Sequence, residues 1–162
     1  IRKQENSKMC MVCGLENSLG LKAAFYELEN GELAAIFIPA DQHQSYPGIL
    51  HGGMISAILD EVIGRAFMLQ SSDSMGMTIE LKVTYLKPVP LNEEMKVFGR
   101  ITHEDAKIFE GTSEIILADG KIAARGHAKF MKLPFDKVSP DFRALEWKVT
   151  QSATDPTEIE RR

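Results

Sequence analysis

Residues 46–64 read YPGILHGGMISAILDEVIG, and the order of events along them decides the architecture. Pro47-Gly48 is a turn signal that delivers the chain to a new element at His51. From Ile55, apolar residues recur at Leu59, Val62 and Ala66, the spacing that lines one face of an α-helix. Gly52 and Gly53 open that helix, and two acids, Asp60 and Glu61, stand inside its otherwise apolar stretch from Met54 to Phe67.

Upstream, an apolar run reaching Leu28, then Asn30-Gly31, then Leu33–Ile38 predicts a β-hairpin whose turn needs positive φ. Downstream, TIELKVTY (78–85) alternates, placing Ile79, Leu81, Val83 and Tyr85 on one face and Thr78, Glu80, Lys82 and Thr84 on the other. Strands are expected over 95–102, 108–118 and 122–132, the last two joined by Asp119-Gly120. A hairpin, one long helix and a run of antiparallel strands is an α+β pattern in which one helix covers one face of one sheet. The chain divides into an N-terminal segment (1–20), a central domain (21–133) and a polar tail (134–162). That tail is expected to hold a helical turn near 142–147 and to be disordered from Ser152.

The composition, 44% hydrophobic and 26% charged over 162 residues, suits one soluble domain, and no apolar stretch approaches the roughly 20 residues of a membrane span. A formal charge of −4 without a basic run argues against a nucleic-acid partner. The first residues show no apolar h-region, so a cytoplasmic location is expected. Cys10 and Cys13 form a lone C-x-x-C that would suit half a zinc site or a redox pair. No second half follows in the sequence, so the pair reads as two small residues in a turn, and neither a metal nor a cofactor is expected. His43, His103 and His127 are scattered and read as surface or strand residues.

Glycines at a helix start let a ligand approach free N–H groups that favour an oxygen becoming negative, and they equally allow close helix-to-sheet packing. Asp60 lies roughly 140° and Glu61 roughly 120° from Ile55 around the helix axis, on opposite sides. Spacing alone does not choose between them, and a solvated face would suit either acid.

Residues 46–64 followed by 78–88 resemble the phenylacetyl-CoA thioesterase-like family of hotdog thioesterases, whose helix starts H-G-G and carries an acid nine residues after the His. CMVCGLENSLGL, 10–21, is similar to the opening of one branch of that family. The resemblance implies an antiparallel sheet wrapped around one long central helix and hydrolysis of an acyl-CoA thioester. It implies Asp60 as the base or nucleophile, the Gly52 N–H as oxyanion donor, His51 beside the thioester, and Thr78 near the attacking water. Gly53 falls in the same substrate-binding helix start, and Glu61 is left a surface acid. Where the family often has Asn or Gln six residues before its His, this chain has Ser45, with Gln44 just before it, and either suits that substrate-orienting place.

Two other activities fit less of the pattern: a hotdog acyl-thioester dehydratase or hydratase, and a non-catalytic acyl-CoA-binding module. Met54, Ile58, Phe67, Met68 and Met75 are candidates to set pocket depth, and Lys82, Lys87, Arg100 and Arg125 to meet CoA phosphates, by size and charge alone. Gly52 and Asp60 are eight positions apart, about 12 Å along a helix axis, too far for one carbonyl to meet both. Each active site is therefore expected to be shared by two copies in an isologous dimer. The resemblance implies the same, with dimers paired further into tetramers.

Overall fold

The structure, a computed structural model, describes residues 1–138, 148 and 150–161. The helical turn expected at 142–147 lies outside them. Seven strands form one antiparallel sheet: β1 (Arg2–Lys3), β2 (Ala24–Glu27), β3 (Leu33–Phe37), β4 (Ser74–Tyr85), β5 (Met95–Glu104), β6 (Ile108–Ile116) and β7 (Ile122–Pro134), in the order β1-β2-β3-β5-β6-β7-β4. The long helix α1 (Gly52–Ala66) lies across β3 to β7, and α2 (Phe135–Val138) is a single turn after β7. Gly31 and Gly120 take the positive φ, 81° and 80°, that the two hairpin turns demand.

The helix buries more than its predicted stripe. Ile55, Leu59, Val62 and Ala66 are buried, and so are Ile58, Ile63 and Arg65, because the sheet curls around α1 instead of lying flat beneath it. Ile58 and Leu59 meet Leu33, Ala35, Val97 and Ile115 in the main core cluster. Beyond the C-terminal end of α1, Phe67, Phe109 and Phe130 stack face to face at 4.1 and 4.8 Å. Each fully buried aliphatic or aromatic side chain contributes on the order of 1.5–3 kcal/mol, so this helix-to-sheet contact is the main adhesive of the fold.

β4 departs from simple alternation. Its ladder with β7 slips by one residue between Thr78 and Glu80, which makes Ile79 a bulge, 54% exposed. Thr78 pairs with Phe130 and Leu81 with Ala128, both on the buried face. The face predicted for Thr78 is thus corrected: the bulge turns it to the same side as Leu81 and Val83, toward α1.

The N-terminal segment folds over the middle of α1, with Val12, Cys13 and Leu21 in the main core cluster. Asn6 Nδ2 donates to Cys13 O at 2.7 Å and Ala23 O at 2.9 Å. At the other end, described residues of the tail after Ser152 make contacts with the rest of the chain. Asp155 accepts from Lys3 Nζ at 2.6 Å and Tyr26 O–H at 2.9 Å, and Arg161 binds Glu32 at 2.6 Å and Glu114 at 3.0 Å. Ile159 packs on Phe98 and Ile116 between these polar anchors. Two charged groups of the polar tail, Asp155 and Arg161, thus find partners in the rest of the chain.

Candidate active site

His51 caps α1: its Nδ1 accepts the Gly53 N–H at 2.8 Å, with extended backbone at φ −61°, ψ 134°. A Cβ at residue 53 would lie 2.9 Å from that ring nitrogen, so glycine there makes room for the cap. The Gly52 N–H has no hydrogen-bond partner among the described residues and is the donor left over at this helix start. Tyr85, at the end of β4, covers it from one side. Its hydroxyl donates to Gly52 O at 2.9 Å and lies 2.7 Å from Ser56 Oγ, and its ring would stand 3.4 Å from a Cβ on residue 52.

Two turns further along, Asp60 Oδ1 accepts the Thr78 hydroxyl at 2.8 Å. Burial pushes the Asp60 carboxyl above the usual carboxylate range, the Thr78 hydrogen bond pulls it down, and the charge of Glu61 pushes it up. Both residues border a cavity of about 340 Å³ whose apolar wall includes Met68, Met75, Phe130 and Phe135. Of the side chains expected to set pocket depth, Met68 and Met75 line it, whereas Ile58 and Phe67 are wholly in the core.

The expected site residues therefore fall into two groups within one chain. Asp60 and Thr78 stand together on the cavity, while His51, Gly52 and Gly53 stand at the helix start, outside it. Gln44 and Ser45 are exposed in the turn before α1, where Gln44 Oε1 accepts the Gly48 N–H at 3.2 Å and the Ser45 N–H bonds Ile49 O at 2.8 Å. Arg100 and Arg125 are engaged with Glu114. His43 is a correction: it is buried, its Nδ1 accepting the Ala40 N–H at 2.9 Å and its Nε2 lying 2.7 Å from Leu19 O. It ties the N-terminal segment to the turn before the helix. His103 and His127 lie on β5 and β7 as expected.

Residues 47–124 match the profile of the Thioesterase superfamily. Rat acyl-coenzyme A thioesterase THEM4 is 30% identical over 125 residues, covering 76% of this chain and 53% of that protein. Mouse acyl-coenzyme A thioesterase 13 is 26% identical over 93 residues, 56% of this chain and 66% of that one. The crystal structure of the thioesterase superfamily protein RHA08564 superposes with a TM-score of 0.70 at 28% identity, over 76% of this chain and 63% of that chain. Residues 47–124 are thus similar to the Thioesterase superfamily. The fold is the hotdog fold, its antiparallel sheet wrapped around α1, as the resemblance implied. The chain spans about half the length of THEM4, the relative it matches over the most residues of the two.

The matched segment runs through α1 and β4, so it holds both groups of site residues. Tyr85 was read only as a strand residue and Ser56 not at all; Ser56 follows Gly52 by one helical turn, and the strand's approach to the helix start brings Tyr85 to both. Arg65 was missed too, although its spacing from Glu61 is that of a helical ion pair. It is 3% exposed, with Nε 2.8 Å from Glu61 Oε1 and an Nη 2.9 Å from Cys13 Sγ. The hydrogen bond from Cys10 and the Arg65 charge lower the Cys13 thiol to about 6 against its burial, while the same hydrogen bond raises Cys10. No helix among the described residues is long and apolar enough to cross a membrane.

Proposed function

We propose that this protein hydrolyses an acyl-CoA thioester to the free acid and CoA, with Asp60 as the carboxylate that activates water or attacks the carbonyl. The observation that carries the reading is a half-buried carboxylate, held by Thr78, on the wall of a largely apolar cavity. An acyl chain suits the Met68, Met75 and Phe130 wall, and raised proton affinity suits a general base. The thioesterase relatives act on acyl-coenzyme A by name, which is the substrate class proposed.

The oxyanion donor is the Gly52 N–H of a second copy. Thr78 touches Asp60 at mid-helix and Tyr85 touches Gly52 at its start, so β4 runs antiparallel to α1. β4 is an edge of the sheet and exposes Met77, Ile79 and Tyr85. Pairing it with its symmetry copy about Lys82, with the Ile79 bulge taking up one residue, brings Gly52 of the second copy beside Asp60 of the first, covers the apolar edge and closes two equivalent sites. Gln44 and Ser45, in the turn before α1, are the substrate-orienting candidates of that same end.

Free thiol release from a panel of acyl-CoAs tests the reading. Hydrolysis is expected, faster than for the oxygen ester of the same acyl group, because thiolate is the better leaving group in a carboxylate-driven reaction. Tight acyl-CoA binding without release would favour the binding module, and water addition across an enoyl-CoA would favour a hydratase.

A further inference from the structure

We propose that Cys10, Cys13 and Glu61 bind a divalent zinc ion at the edge of the acyl cavity, tying the N-terminal segment to α1. The sulfurs of Cys10 and Cys13 and a carboxylate oxygen of Glu61 all lie within 4.8 Å of one another. Tetrahedral zinc, with bonds of about 2.3 Å to sulfur and 2.0–2.2 Å to oxygen, holds its ligand atoms roughly 3.5–3.8 Å apart, so a closure of about 1 Å or less suffices. The sequence lacks a second Cys or His pair, and the fold supplies the third donor from the middle of the helix.

The turn is already wound for this. Cys10 Sγ accepts the main-chain N–H groups of Val12 at 3.3 Å and Cys13 at 3.4 Å. Gly14 N–H donates to Cys10 O at 2.8 Å, and a Cβ on residue 14 would stand 2.4 Å from that oxygen, so the turn closes only around glycine. Both sulfurs are thereby held on the side that faces Glu61. Cys13 is 1% exposed and Arg65 3%, so charges here are desolvated. Two thiolates and one carboxylate balance Zn²⁺ and the Arg65 guanidinium, leaving the buried group neutral. Arg65 then acts from outside the coordination sphere, orienting Glu61 and Cys13 by its 2.8 and 2.9 Å contacts. The thiol protons leave to solvent on binding. All three ligands line the cavity that holds Asp60, so a water from that cavity would complete the coordination.

The inference stands independently of the hydrolase reading, and its test reads metal, not turnover. The full chain, purified with a non-chelating phosphine reductant, is analysed for zinc and titrated with Co²⁺. About one zinc per chain is expected, and Co²⁺ should give a thiolate-to-cobalt charge-transfer band with the intense d–d bands of a four-coordinate site. Cys10→Ser with Cys13→Ser should abolish that band. Glu61→Gln should weaken Co²⁺ binding by at least the roughly ten- to hundredfold that loss of an outer-shell partner costs. Circular dichroism establishes that the variants fold. Should they not, the wild-type titration decides alone: reduced, folded wild-type protein that takes up no zinc and gives no charge-transfer band overturns the site. So does a native protein whose two cysteines are joined as a disulfide.

Discussion

At the scale of single residues, Asp60 has one partner that tunes it and one neighbour that does not share its role. Asp60→Asn keeps size and the acceptor for Thr78 but removes the base, so turnover is expected to fall at least about a hundredfold. The same substitution should stabilise the fold at neutral pH. A carboxyl whose affinity for protons is raised on folding stabilises the native state while protonated and loses that contribution as pH rises through its folded value. The variant does not titrate, so its melting-temperature advantage should shrink as pH drops below the ordinary carboxylate range. A thermal-shift series over pH reads this directly. Thr78→Val removes the hydrogen bond that holds the Asp60 proton affinity down, so the acid limb of kcat/KM should move to higher pH, and Thr78→Ser should return it. An unmoved limb with reduced kcat would leave Thr78 only a packing role.

At the scale of elements, periodicity was a sound guide wherever one face meets the core. The helix from Gly52, both hairpin turns and the strands of β5 to β7 follow from apolar spacing and Asn-Gly or Asp-Gly pairs. β4 shows the limit: alternation assumes an unbroken pleat, and the Ile79 bulge, fixed by the β7 partner, reverses the side on which Thr78 stands. Asp60 as an acid within an apolar helix was legible, but its choice over Glu61 rested on family resemblance, because the helix angle treats the two alike. The structure separates them by partners 18 and 4 residues away, Thr78 and Arg65. The cluster around Cys13 was not legible, since its members are brought together only by the N-terminal segment crossing α1. The end of that helix rests on the aromatic stack, so Phe109→Ala should cost about 3–5 kcal/mol in chemical denaturation. A loss under about 1 kcal/mol would mean that Phe67 and Phe130 close over the gap.

At the scale of the whole molecule, one chain keeps its base and its free N–H apart, and complementation between damaged copies tests whether a second copy joins them. Gly52→Pro deletes the donor with little disturbance to the helix. Proline fits a first helical position, and His51 already has the extended ψ of 134° that precedes proline comfortably. Asp60→Ala deletes the base. Each variant alone should be inactive, and together they should form mixed dimers in which Asp60 of one copy faces Gly52 of the other. Random pairing makes half the dimers mixed with one intact site of two, so about a quarter of wild-type activity should return. Charge substitutions on the exposed edge of β4, such as Ile79→Lys, should abolish both pairing and recovery, because a lysine on an edge strand opposes edge-to-edge association. Mixed dimers identified by native mass spectrometry yet wholly inactive would put donor and base in one subunit, and the 12 Å helix separation would then have to be bridged by a donor other than Gly52.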